Sequence, residues 1–158
     1  MLVESLVKAT VELQGFRVES VTGGTSGLVA QIVADLRFNA RCGQCLEPAP
    51  YRDTRPMRAF RHVPMWGIPV ELRYSPRRVS CPQCDGVHVE AMPWVSGKQR
   101  MTRALMVTLA TWTRVLPWKQ VAQLFLLPEY SRRRFDISVC ERTNHIPGSR
   151  LLKNCQQL

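Results

Sequence analysis

The sequence predicts an α+β protein, with a small β-rich part followed by a helical segment. Three observations carry that expectation. Two Cys-x-x-Cys turns enclose strand-like sequence, a Gly-rich turn separates two apolar runs near the start, and the clearest helical apolar periodicity comes after Gly97.

Taken in order, residues 2–13 place apolar side chains at 2, 3, 6, 7, 9, 11 and 13, a loose amphipathic helix that Gly15 ends. Phe16-Arg17-Val18 alternates, Thr22-Gly23-Gly24-Thr25-Ser26-Gly27 signals a turn, and residues 28–36 read as a second strand. This hairpin leads into the first cysteine pair and is expected to lend apolar cover to a neighbour too small to bury much alone.

The pairs are Cys42-Gly43-Gln44-Cys45 and Cys81-Pro82-Gln83-Cys84, with thirty-five residues between Cys45 and Cys81. A Cys-x-x-Cys turn aims both sulfurs at one spot, and two such turns supply a closed tetrahedral set for one structural Zn²⁺. The long spacing suits a zinc ribbon, in which each pair sits at a hairpin tip. The rival readings are a redox dithiol or plain buried thiols, but neither pair has the flanking βαβ pattern of a thioredoxin-like motif. Four thiolates complete the metal set, so His62 and His88 are assigned as ordinary sheet residues, and Cys140 and Cys155 are left over.

Between the pairs, residues 57–63 alternate, with Met57, Ala59 and Val63 on one side and Arg58, Phe60 and His62 on the other. Residues 64–69 form a turn. Val70, Leu72 and Tyr74 then share one face of a strand, Arg77-Arg78-Val79-Ser80 runs into the second pair, and Asp85-Gly86 makes a tight exit.

Pro93 and Gly97 mark a linker. Met101, Leu105, Leu109, Trp112 and Leu116 then form one helical stripe, with Thr102 as its cap. Pro117 stops this helix and opens a second as its first residue, with Trp118, Val121, Ala122, Leu124 and Phe125 on one face. A third helix is expected at residues 131–137, capped by Ser131 and carrying Arg132, Arg133 and Arg134. The resulting division is a β-hairpin plus zinc-ribbon domain over 1–93, a helix-turn-helix-like segment over 94–140, and a poorly ordered tail over 141–158.

The net charge is +10, and residues 52–119 alone hold twelve Lys/Arg against four Asp/Glu. Basic charge gathered in one part of the chain beside a metal-stapled ribbon favours a polyanion partner, usually nucleic acid. No basic n-region opens the sequence and no apolar run reaches the ~20 residues of a membrane span. Reduced, metal-bound cysteines in a cytoplasmic protein, without a membrane partner, are the expectation.

The order of these parts resembles the N-terminal portion of bacterial insertion-sequence transposases of the ISL-three type. The resemblance spans about residues 10–126 and rests on the run from Val63 to Leu72, on Arg77-Arg78-Val79-Ser80-Cys81-Pro82-Gln83-Cys84, and on Arg100-Met101-Thr102-Arg103 and Trp118-Lys119-Gln120-Val121-Ala122. It implies a zinc ribbon and helix-turn-helix that recognise transposon-end DNA ahead of a catalytic domain, with full-length transposase as a further partner. Two departures stand out. The family's first knuckle has a proline where Gly43 lies and a glycine where Leu46 lies, and after Phe125 the pattern breaks, as in a truncated copy.

The expected DNA contacts are Arg77, Arg78, Arg100, Arg103, Lys119, Arg132, Arg133 and Arg134. No catalysis is expected, because Asp53, Glu71, Asp85 and Glu90 are scattered rather than paired for a metal. The alternatives are a zinc-ribbon module that binds a protein partner and a thiol oxidoreductase using one cysteine pair.

Overall fold

The computed structural model describes residues 2–11, 13–24, 27–97 and 99–127. The expected third helix with Arg132, Arg133 and Arg134, and the expected tail, lie outside the described residues. The protein is mixed α+β and strand-rich, and divides into two compact units between Leu105 and Met106.

In the first unit, α1 (Leu2–Thr10) precedes β1 (Phe16–Gly24) and β2 (Gly27–Ala34), which pair antiparallel as the alternation and Gly-rich turn predict. A bulge between Val18 and Ser20 leaves Glu19 and Ser20 both exposed. The inserted residue restores the pleat, so Val21 returns to the side of Val18.

β4 (Arg58–Met65) and β5 (Ile68–Tyr74) form a second hairpin. Its two-residue turn holds Trp66 at φ 50° and Gly67 at φ 76°. Positive φ at both central residues is the type I′ geometry that suits strand twist. For Trp66 that conformation costs about 1–2 kcal/mol, and the indole stays 74% exposed.

The two hairpins lie side by side through parallel pairing of β2 with β5, Leu28 opposite Val70 and Gln31 opposite Arg73. The four-stranded order is β1-β2-β5-β4. One face is the core: Val18, Ala30, Ile32, Phe60, Val70 and Leu72 pack with Val7 of α1 and with Val11 just after it. Strand β4 therefore turns its Phe60/His62 side inward, and Met57 stays exposed.

A smaller three-stranded sheet contains β3 (Tyr51–Thr54), β6 (Arg77–Cys81) and β7 (Gly86–Val89), in the order β3-β6-β7 and antiparallel throughout. This partition differs from the expected one. The strands at 58–74 do not join the cysteine turns; they join the first hairpin, whose core is independent of any cysteine.

The expected linker after Glu90 is part of the first unit. Trp94 is buried at 2% exposure and meets Phe16 and Tyr74 edge-on, at centroid distances of 4.5 and 5.6 Å. Such packing outweighs the local signal of Pro93 and Gly97. Residues 100–102 then lie along β4, with the Arg61 N–H donating to Arg100 O and the Thr102 N–H to Arg61 O.

Helix α2 (Arg103–Trp112) starts in the first unit, where Thr102 Oγ1 accepts the Leu105 N–H at 3.2 Å, the predicted cap. In the second unit α2 continues to Trp112, residues 113–117 connect, and α3 (Trp118–Leu124) follows. Pro117 stands at the N-cap of α3 with ψ 145°, one position before the expected one. Leu109 and Val121 are fully buried and Trp112 meets the Phe125 ring at 6.4 Å.

Candidate metal centre

The cysteine turns occupy equivalent places at two hairpin tips. In the second, β6 delivers Cys81 and β7 leaves from Gly86, which pairs with it. In the first, Arg41 bridges Pro48, the Cys42 N–H donates to Glu47 O at 2.8 Å, and the Leu46 N–H donates to Cys42 O at 3.0 Å. Each turn buries its first cysteine and half-exposes its second. In each, the residue after the second cysteine has a left-handed backbone, Leu46 at φ 64° and Asp85 at φ 45°.

Gly43 docks the first turn on β7. Its N–H donates to Val89 O at 3.0 Å, and Cys42 bridges Glu90 beside it. A β-carbon at Gly43 would sit 2.5 Å from Val89 O, so the position excludes a side chain. Proline there would also lack the donor N–H.

This docking brings Sγ of Cys42, Cys45, Cys81 and Cys84 within 4.8 Å of one another. Cys45 and Cys81 sulfurs are 3.5 Å apart, and Cys42 and Cys84 sulfurs 4.0 Å. A disulfide requires about 2.05 Å. A tetrahedron of thiolates about 2.3 Å from a metal has edges of about 3.8 Å, which the observed spacings straddle. The four residues can therefore hold one metal ion, and Ala40, Ala49 and Val79 wall the cluster with apolar surface.

The chain was set against protein-family models, curated proteins and solved structures. Nothing matched.

The electrostatics of Cys42, Cys45 and Cys84 agree with a cation site. Burial raises the Cys42 thiol, but the N–H groups of Cys45 and Gln44 and the neighbouring sulfurs outweigh it and draw it down to about 6. Cys84, facing Cys45 and partly desolvated, is pushed up to about 12. The Glu47 N–H lowers Cys45, yet burial and Cys81 leave it raised. Thiolates this close repel one another, and a divalent cation removes that opposition.

Glu90, to which the sequence assigns no structural role, ties this centre to the larger sheet. Its Oε1 accepts the Tyr74 hydroxyl and the Arg77 backbone N–H, and its Oε2 accepts Arg77 Nε and Nη2 at 2.8 and 2.6 Å. The carboxylate is buried with four donors, which satisfies it. Tyr74 is pushed well above the usual phenol range by burial and by Glu90. The only advance signal was Glu90's position shortly after the second cysteine pair.

The expected DNA contacts fall into different settings. Arg77 faces Glu90, with its side chain 15% exposed. Arg78 pairs with Asp53 and keeps 43% exposure. Arg100 and Arg103 are exposed at the start of α2, and Lys119 is exposed on α3 in the second unit. Of the two histidines, His62 is buried in β4 and His88 lies on β7; neither belongs to the four-sulfur group.

Proposed function

We propose that the chain is a zinc-stabilised, double-stranded-DNA-binding portion of an insertion-sequence transposase, a zinc ribbon followed by a helix-turn-helix. The observation that carries the metal half is the cluster of four sulfurs brought together by two equivalent cysteine turns. Cys42, Cys45, Cys81 and Cys84 would hold one Zn²⁺, which supplies folding energy and no chemistry.

The DNA half rests on charge. A net +10 with exposed Arg100 and Arg103 beside the cap of α2 suits phosphate contacts. Arg78 and Lys119 complete the set in the described residues, with Arg132, Arg133 and Arg134 beyond them; Arg77 serves to hold Glu90. α2 and α3 supply the paired helices of a helix-turn-helix. On this reading the partners are transposon-end DNA and full-length transposase, in a bacterial cytoplasm. Among the described residues no helix is long and apolar enough to cross a membrane.

In this reading the chain binds DNA without cutting it. Asp35, Asp53, Glu71 and Glu90 each engage an arginine, so these carboxylates are engaged in ion pairs rather than grouped for a catalytic metal.

Metal analysis together with DNA titration tests the proposal. The expected result is about one zinc per chain and duplex affinity that falls steeply with salt, the double substitution Arg100→Ala/Arg103→Ala flattening the log–log slope by about 2. A metal-free protein with redox-active thiols would favour the oxidoreductase, and zinc without salt-dependent duplex binding would favour a protein-interaction module.

A further inference from the structure

We propose that Trp66 is a nucleobase contact, with the β4–β5 hairpin presenting its indole to stack on a base of bound DNA. The inference rests on the DNA-binding reading and adds to it a residue and a mode of contact.

The turn geometry is the first support. Trp66 is 74% exposed at φ 50°, immediately before Gly67 at φ 76°. That first turn position favours asparagine or aspartate, and a bulky side chain held there is a backbone outlier. The strain gains no burial in return, which is the pattern of a residue kept for contact with something else.

The hairpin is also a firm mount. Pro64 and Pro69 bracket the turn, and Pro69 packs against the neighbouring hairpin at Gly27, where a β-carbon would lie 2.5 Å from Pro69 O. Ile68, 42% exposed, extends the apolar tip.

Charge selects the occupant. The hairpin that carries Trp66 holds Arg58, Arg61 and Arg73 against Glu71, and the chain carries +10. A basic surface that also offers an uncharged aromatic plane matches a polyanion with stacking faces. Duplex DNA presents such a face where a base step opens.

The test uses the full zinc-loaded chain, a mixed-sequence duplex, and the same duplex carrying one bulged thymine. Wild type is expected to prefer the bulged duplex by on the order of tenfold. Trp66→Asn should abolish the preference, Trp66→Phe should restore most of it, and the salt slope should be the same in all three, because no charge changes. Trp66→Asn should melt no lower than wild type, since Asn-Gly suits the turn. A preference that survives Trp66→Asn, or wild type without any preference, overturns the contact and leaves the DNA reading standing. A lower melting temperature for Trp66→Asn makes Trp66 a packing residue and overturns it too. Wild type that binds neither duplex overturns the DNA reading itself, and this inference with it.

Discussion

The Tyr74 hydroxyl donates to Glu90 Oε1 at 2.5 Å, joining the last residue of β5 to the residue that follows β7. Because Glu90 also bridges Cys42 through the backbone, this contact couples the larger sheet to the cysteine centre. Glu90→Gln should cost about 3–5 kcal/mol, the range for leaving one member of a buried ion pair without its partner. Tyr74→Phe keeps the Arg77 donors and should cost only about 1–2 kcal/mol. Urea unfolding at saturating zinc checks both, and equal costs would show that the ion pair adds nothing beyond the hydroxyl.

His62 sits in a chain of hydrogen bonds with one consistent direction. The Thr10 hydroxyl donates to Val7 O, so its oxygen accepts from His62 Nε2–H at 3.0 Å. Burial disfavours the charged ring, so with Nε2 protonated Nδ1 is bare and accepts at 2.9 Å from the Thr102 hydroxyl, whose oxygen also accepts the Leu105 N–H. The ring is thus neutral, and burial pulls its pKa from 6.5 to about 4. The unfolded chain takes up a proton on falling through pH 6.5 and the folded one does not until about 4. Stability should fall across that window, by about 3 kcal/mol from this group. The pH-dependent slope of wild type minus that of His62→Gln isolates the effect, since any acid release of metal from the cysteines is common to both. Parallel slopes would remove His62 as the cause.

Leu46 is the inexpensive improvement. Its left-handed backbone at φ 64° and 56% exposure mean that Leu46→Gly relieves strain while giving up little burial. After allowing for the freer unfolded chain, the gain should be about 0.5–1 kcal/mol. Gly43→Ala, by contrast, meets Val89 O and should cost about 1–3 kcal/mol. Thermal melts of the zinc-loaded proteins should move in opposite directions.

Chelation should act on half of the first unit. The core of Val18, Ile32, Phe60 and Leu72 contains no cysteine, whereas Cys42 and Cys81 are the centre of the smaller cluster. Hydrogen exchange after zinc removal should expose β6 and β7 while β2 and β5 stay protected. Simultaneous loss of protection in both would make the metal the staple of the entire unit.

Local signals were legible in the sequence. The Gly-rich turn located β1–β2, alternation located β5, Thr102 announced a cap, and paired spacing picked out the four cysteines. What escaped was set at long range. β3 is an edge strand of Tyr51-Arg52-Asp53-Thr54, with no apolar alternation and three of its four residues exposed; pairing with β6 alone makes it a strand. The parallel union of β2 with β5 leaves no mark in either segment. Pro93 and Gly97 read as a linker because nothing local reveals that Trp94 packs edge-on against both Phe16 and Tyr74. Glu90 looked like one more carboxylate, since its side-chain partners Tyr74 and Arg77 come from β5 and β6.

That parallel union has a kinetic corollary. Pairing Leu28 with Val70 closes a loop that contains Cys42 and Cys45, and gathering Cys42 with Cys84 closes one that contains all of β5. The two loops overlap, so whichever closes first shortens the search left to the other. A metal ion captured by the four cysteines of the unfolded chain should therefore speed assembly of a sheet it never touches.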